Sequence, residues 1–371
     1  MANRGGAQDR GSVLVNRTAD GVDLNDIWAE LTDVLDEYNK HRSAIASLLS
    51  YPTTNVADAV PQDVRAELME EATEWGVPVG ISDSSYLKLA YLFRDYDLSL
   101  RASWKYIRDA SAEQIENRTR RALEADNTLV NGLILQRLFS NEVYMNDFGL
   151  QVYGLWNADG QVPPNDLGRS FAGDHTHCLC TESATLNPVH VEAGIKHVTE
   201  HGYGSTQSAR LILLIHSDDL ISSKLPSWRA GVTFDTSKTP AHDFIPSSNA
   251  PARITNEVVV GATPPPEYNG LEVTGSYGKC LIVESYYIPK GWCTIVASGG
   301  LNSRDNPVGF REHRDPSYRG LREIPGRGPY PIVESYLARG CGTGVRHRGA
   351  AVAIQITASS SYTPPVIVAH R

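Results

Sequence analysis

The 371-residue chain is short of several things, and each shortage closes off a class of function. It has no run of about 18 apolar residues, so nothing in it reads as a membrane-spanning helix. The first thirty residues are polar and contain no apolar core of the kind a secretory signal needs, which predicts a protein made and kept in a cytoplasm. Cysteine is scarce and odd in number: five, at 178, 180, 280, 293 and 341. That excludes a disulfide framework, and the apolar runs KCLIVESYY and GWCTIV predict buried, reduced thiols. Basic charge is also in deficit, with 34 Lys and Arg against 43 Asp and Glu, for a formal net charge of −9. A protein whose main work is gripping nucleic acid usually needs a basic face. A container for nucleic acid does not, because an acidic inner wall avoids sticking to its cargo.

Catalytic motifs are missing too. No Gly-x-Ser-x-Gly elbow, phosphate loop or His-Glu-x-x-His occurs, so no catalytic residue, cofactor or cofactor-binding residue is assigned. Gly340-Cys341-Gly342-Thr343-Gly344 lacks a following Lys and reads as a tight turn with positive φ. The cluster His175-Thr176-His177-Cys178-Leu179-Cys180, with His190, His197 and His201 after it, is the best candidate for a metal. On a strand, alternate residues face one way, so His175 could share an ion with His177, or Cys178 with Cys180, but not all four. The spacing does not match established zinc patterns, and no metal is expected. A metal-dependent enzyme on this cluster and a monomeric binding module are the competing readings from other classes.

What is present is length and patterning. At 41% apolar and 21% charged residues, the composition suits two or three lobes with buried interiors. After an irregular arm at 1–22, apolar residues at a 3–4 spacing from Leu24 through Trp28, Leu31, Leu35 and Tyr38 to Leu49 predict one amphipathic helix. Asp23 is its expected N-cap, and seven acids without a Lys or Arg lie between residues 20 and 37. Such a stripe needs a surface, and an adjacent copy of the chain is the expected one. A short helix is expected near 61–75 and a Gly/Pro turn at Gly76–Gly80. Tyr86–Phe93 and Leu98–Ile107 read as two strands of a hairpin, the second alternating through Leu98, Leu100, Ala102, Trp104 and Tyr106. Ser111 and Gln114 form a capping-box pattern ahead of a helix over 111–140, far longer than the usual 11–12 residues.

Further on, residues 188–201 read as helix and Ala209–His216 as a buried strand. The Ser, Pro and Asn content of 217–275 argues against helices there. Lys279–Ile288 and Trp292–Ala297 read as strands joined by Pro289-Lys290-Gly291, and Ala350–Thr357 as a last strand before a Ser/Pro tail. Residues 304–348 carry nine Arg, no Lys and five acids. Arg without Lys predicts forked pairing with carboxylates, between subunits or lobes, with Arg346 and Arg348 foremost. The elements together make an α+β protein.

Three C-terminal stretches carry a resemblance. Asn306-Pro-Val-Gly-Phe-Arg-Glu-His313, Arg319-Gly-Leu-Arg322 and the run from Arg339 to Gln355 resemble the major capsid proteins of long-tailed phages, of the Hong Kong 97 type. Tyr96–Asp109 and Tyr153–Asn157 are similar to the same family. The resemblance implies an N-terminal arm and helix (1–50), an extended loop with a hairpin (51–107) and a peripheral domain with its spine helix (108–200). It further implies a mainly axial domain (201–300) and a return to the peripheral domain with a tail (301–371). It implies self-assembly into hexamers and pentamers of an icosahedral shell around double-stranded DNA, built in a host cytoplasm and carried in the virion. Portal, scaffold and decoration proteins are the implied partners; packaged DNA would be touched non-specifically, and no membrane is involved. A nanocompartment shell of the same fold is the nearest alternative. The expected assembly contacts are Leu24, Trp28, Leu31, Leu35, Trp104, Arg319, Arg322, Arg346 and Arg348. The Lys–Asn–Glu trio that welds subunits in some members has no counterpart assignable by motif.

Overall fold

The structure is a computed structural model that describes residues 17–61, 69, 71–72, 74–77, 86–166, 169–204, 209–233, 238–248, 263–325 and 332–370. Residues 1–16 of the arm expected at 1–22, and most of the segment expected as a helix and turn at 61–80, lie outside these residues.

In chain order, helix α1 (Leu24–Lys40) and helix α2 (Ala44–Leu49) lead into strands β1 (Ser50–Thr53), β2 (Ala57–Pro61), β3 (Tyr86–Ala90) and β4 (Arg94–Ser103). Helices α3 (Trp104–Asp109) and α4 (Ala112–Phe139) follow, then β5 (Tyr144–Met145), β6 (Gln151–Val152) and β7 (Cys178–Cys180). Next come α5 (Pro188–Glu200), β8 (Arg210–Ile215), α6 (Ser217–Ser222) and β9 (Phe244–Pro246). The last third is strand: β10 (Glu267–Tyr268), β11 (Leu271–Glu272), β12 (Gly275–Tyr277), β13 (Cys280–Glu284), β14 (Trp292–Ser298), β15 (Val308–Glu312), β16 (Arg322–Pro325), β17 (Ile332–Val345) and β18 (Ala351–Gln355).

Several expectations are corrected by what competes locally. The helix read as continuous to Leu49 is two: Asp23 caps α1 by accepting from the Asn25 N–H at 2.9 Å, but the chain leaves the helix at His41. Ser43 then starts α2 by accepting from the Ala46 N–H at 3.2 Å. The hairpin expected across 86–107 does not form. Its four-residue link Arg94–Asp97 is itself strand, and β3 pairs antiparallel with β2 while β4 pairs antiparallel with β17. Ser103 ends β4 by capping α3 through the Tyr106 N–H at 3.3 Å, so Trp104 and Tyr106 are helical. The Ser/Pro-rich stretch also holds a helix after all, α6, opened by His216, whose Nδ1 accepts from the Asp218 N–H at 3.1 Å. The long helix α4 follows the pattern: the Ser111 N–H donates to Gln114 Oε1 at 3.2 Å, and 28 residues make a rod of about 42 Å.

Two sheets carry the fold. One has the order β7-β18-β14-β8-β13-β12-β9. The strands expected to flank the Pro289–Gly291 turn do not pair with each other, because β8 lies between them, parallel to β13 and antiparallel to β14. β7 and β18 come from far outside residues 201–300 and complete this sheet. Its alternation sorts the core into two layers. Ile212 and Leu214 of β8 join α2 and α4 on one face; Leu211, Leu213 and Ile215 join Val191 and Val198 of α5 on the other. The second sheet has the order β1-β15-β17-β16, with β4 along the opposite edge of β17 from β16.

The Ser/Pro tail is not loose. Tyr362 donates its hydroxyl to the Phe139 carbonyl at 2.8 Å, Gln136 Nε2 donates to the Ile367 carbonyl at 2.6 Å, and buried Ala369 sits against Gly132. The tail straps α4. All five cysteines are unbridged and four are buried, and burial pushes the Cys178 and Cys341 thiols up to about 12. Among the described residues no helix is long and apolar enough to cross a membrane.

Candidate assembly surfaces

The apolar stripe of α1 is already covered by its own chain. Leu31 and Leu35 are 3% and 5% exposed, packed with Ala122 of α4, Leu321 and Leu337, and with half-buried Trp28, Tyr38, Leu100 and Leu123 around them. Asn39 fixes the seat by exchanging two hydrogen bonds with the Leu321 backbone, both at 2.8 Å. The expectation that Leu31 and Leu35 dock on a neighbouring copy is therefore corrected. Leu24 and Trp28 line a shallow apolar groove with Leu100, Tyr106 and Ile115 and stay partly open.

The arginine-rich segment divides into buried and exposed members. Arg339, which the sequence did not single out, forms a forked pair with Asp126: Nε to Oδ1 at 2.6 Å and Nη2 to Oδ2 at 2.8 Å. Tyr38 donates to the same carboxylate at 2.9 Å, so one buried cluster ties α1, α4 and β17. Arg348 is 2% exposed and reaches Asp159 Oδ2 at 2.5 Å, the Gly154 carbonyl at 3.0 Å and the Leu155 carbonyl at 3.2 Å. Its guanidinium lies 4.0 Å from the Trp156 ring centre. Arg348 thus meets a carboxylate through one nitrogen and within its own chain; the forked pair belongs to Arg339, and Arg348 is not a surface contact.

Arg346 approaches Asp58 only at 3.9 Å, beside a buried chain in which Tyr51 and Tyr91 share a hydrogen bond at 2.7 Å and Tyr91 donates to Asp58 at 2.7 Å. Arg319 is exposed and braces its own loop, donating to the His313 and Arg314 carbonyls at 2.9 and 2.8 Å. Arg322 lies over the Tyr318 ring at 4.8 Å. Trp104 is half-buried, with Lys105 and Arg108 over its ring. The nine expected contact residues thus do not form one patch. Large apolar side chains that the sequence reading passed over stand in the open: Met145 and Phe148 at the β5–β6 turn, Tyr286 at the end of β13, and Val366 and Val368 in the tail.

The glycine run at 340–344 is a second correction. It lies within β17, without positive φ. A Cβ at Gly342 would fall 2.0 Å from the Leu92 carbonyl oxygen, and at Gly344 2.4 Å from that of Ala90. Glycine is needed because the segment 90–93 crosses directly over the strand.

Three histidines that sequence logic could not join are brought together. His175 Nε2 lies 3.1 Å from His177 Nε2 and 2.9 Å from His201 Nε2. Neither Cys178 nor Cys180 belongs to this group; both lie in β7, paired with Ala353 and Gln355 of β18. Burial lowers the pKa of all three imidazoles, His177 well below the ordinary value and His201 to about 3.

No family model and no curated protein matches the chain. Among solved structures it is similar to a chain of "Mycobacterium phage Patience", with 34% identity over 97% of this chain and 96% of that one, at a TM-score of 0.74. More distant likenesses are to the capsid of an empty GTA particle (12% identity, 85% and 90% of the two chains, TM-score 0.49) and to the bacteriophage PhiM1 mature capsid (10%, 84% and 86%, 0.49). The chain belongs to the major capsid proteins of tailed phages, with the Hong Kong 97-type fold. It is a structural protein that assembles with copies of itself into the icosahedral shell of the virion.

Proposed function

We propose that the shell is built from hexamers and pentamers in which the seven-stranded sheet forms most of the axial lobe, while α4 and the five-stranded sheet form the peripheral lobe. The observation that carries the reading is near-complete coverage at 34% identity with a phage protein chain. The same likeness favours a DNA-filled phage shell over a nanocompartment. The role is read as purely structural, without catalysis. Portal protein, and scaffold or decoration proteins, are the expected partners, with assembly in the host cytoplasm. Packaged DNA would be touched without sequence preference, in keeping with the net charge of −9.

Contacts between copies fall to side chains left open: Leu24, Trp28, Trp104 and Arg319 from the sequence reading, and Met145, Phe148 and Tyr286 beside them. Truncating Phe148 and Tyr286 to Ala should leave a folded subunit by circular dichroism but lower the yield of shells in negative-stain micrographs. Undiminished shells from the double variant would remove these two from the interface.

A further inference from the structure

The three imidazoles meet where the C-terminal end of α5 comes against the edge strand of the seven-stranded sheet. His175 and His177 precede β7, and His201 is the C-cap residue of α5. Their nearest ligand nitrogens all lie within 4.8 Å of one another, the one such group among the described residues.

The proton positions are constrained. His177 Nδ1 is 2.7 Å from the Ala351 carbonyl oxygen, which can only accept, so that nitrogen carries the hydrogen. With that hydrogen on Nδ1 of a wholly buried ring, Nε2 of the neutral imidazole holds a bare lone pair. The His177–His175 contact must then take its proton from His175. The His175–His201 contact needs either that same proton or a lone pair on the same atom. No arrangement of neutral rings gives each contact its own proton. A cation at the point of convergence would satisfy all three nitrogens at once.

We propose that His175, His177 and His201 bind a divalent transition metal of the zinc class through their Nε2 atoms. Imidazole donors suit zinc. Zinc–nitrogen bonds of about 2.0–2.1 Å at tetrahedral angles place ligand nitrogens about 3.3 Å apart. The two short contacts therefore need to open by only a few tenths of an ångström, and the half-buried His201 ring turns to close the third. The fourth position falls to water.

The surroundings hold the donors as ligands. The Ala351 carbonyl fixes the tautomer of His177, as outer-shell partners of metal-bound histidine do. Phe171 stacks on His201 at 4.1 Å. Gly349 leaves the space His201 occupies, since a Cβ there would stand 2.9 Å from its Cγ. Carbonyls at the end of α5 favour positive charge, and Asp174 and Glu200 act electrostatically on His175. The ion would clip α5 to the sheet edge.

The test uses untagged full-length protein, exposed to zinc chloride, passed through gel filtration and assayed by elemental analysis, with cobalt(II) as an optical probe. The expected result is about one zinc retained per chain, a thermal midpoint that rises with zinc, and the visible bands of tetrahedral cobalt. His201→Gln and His175→Gln should each abolish stoichiometric retention and the midpoint shift, while Cys178→Ser/Cys180→Ser keeps both. Wild-type protein that retains no zinc overturns the site, and so does equal uptake by the histidine variants or loss in the cysteine double variant. Should either histidine variant fail to fold, the wild-type stoichiometry and cobalt spectrum still decide.

Discussion

Replacing Arg339 by lysine keeps a positive charge beside Asp126 but removes the forked geometry and one of its two N–H···O bonds. Arg339→Ala leaves the Asp126 carboxylate buried without its cation, at a cost of about 3–5 kcal/mol. Chemical denaturation should rank wild type above Arg339→Lys, and Arg339→Lys above Arg339→Ala; equal midpoints would show the pair to be inert. His190 supplies a pH-dependent effect. Burial, and then Lys238, lower its pKa to about 4 in the folded chain. Its neutral form is favoured on folding, so the associated stability is complete above the unfolded value of about 6.5 and is lost as pH falls toward 4. The thermal midpoint should drop across that window, and less steeply in His190→Gln. The segment 304–348, rich in Arg and free of Lys, made the forked pairing legible in advance. The partners were not: Asp126 and Arg339 are 213 residues apart, and only the pairing of β17 beside α4 joins them.

Leu31 and Leu35 show the same limit at the scale of elements. Periodicity announced an apolar face on α1 and left open whose surface covers it. The face closes on α4 and Leu337 of the same chain, so Leu31→Ala should destabilise the isolated subunit by about 2–5 kcal/mol in denaturant titrations. Loss of assembly with unchanged subunit stability would return α1 to a neighbour. Strand identity was legible at 98–103, 280–284 and 292–297, yet pairing was not, because alternation marks a face and says nothing of the partner. The Gly340–Gly344 run was visible but read as a tight turn, because its cause, a chain segment crossing overhead, is non-local. Gly342→Ala should therefore prevent correct folding, read as loss of the cooperative thermal transition, whereas an unchanged transition would mean that the crossing yields.

For the whole molecule, the class was legible through a resemblance carried by 306–313, 319–322 and 339–355, with 96–109 and 153–157 beside them. The sheet built mainly from residues 210–298 is completed by β7 and β18, which return from distant sequence. The seven-stranded sheet separates two core layers, a third cluster lies between α1 and α4, and large apolar side chains such as Phe148 and Tyr286 stay exposed. The central claim is self-assembly. Negative-stain microscopy of the purified chain, alongside sedimentation across concentration and salt, tests it most directly. The account predicts capsomers, closed shells or tubes; a monodisperse monomer under every condition would contradict it.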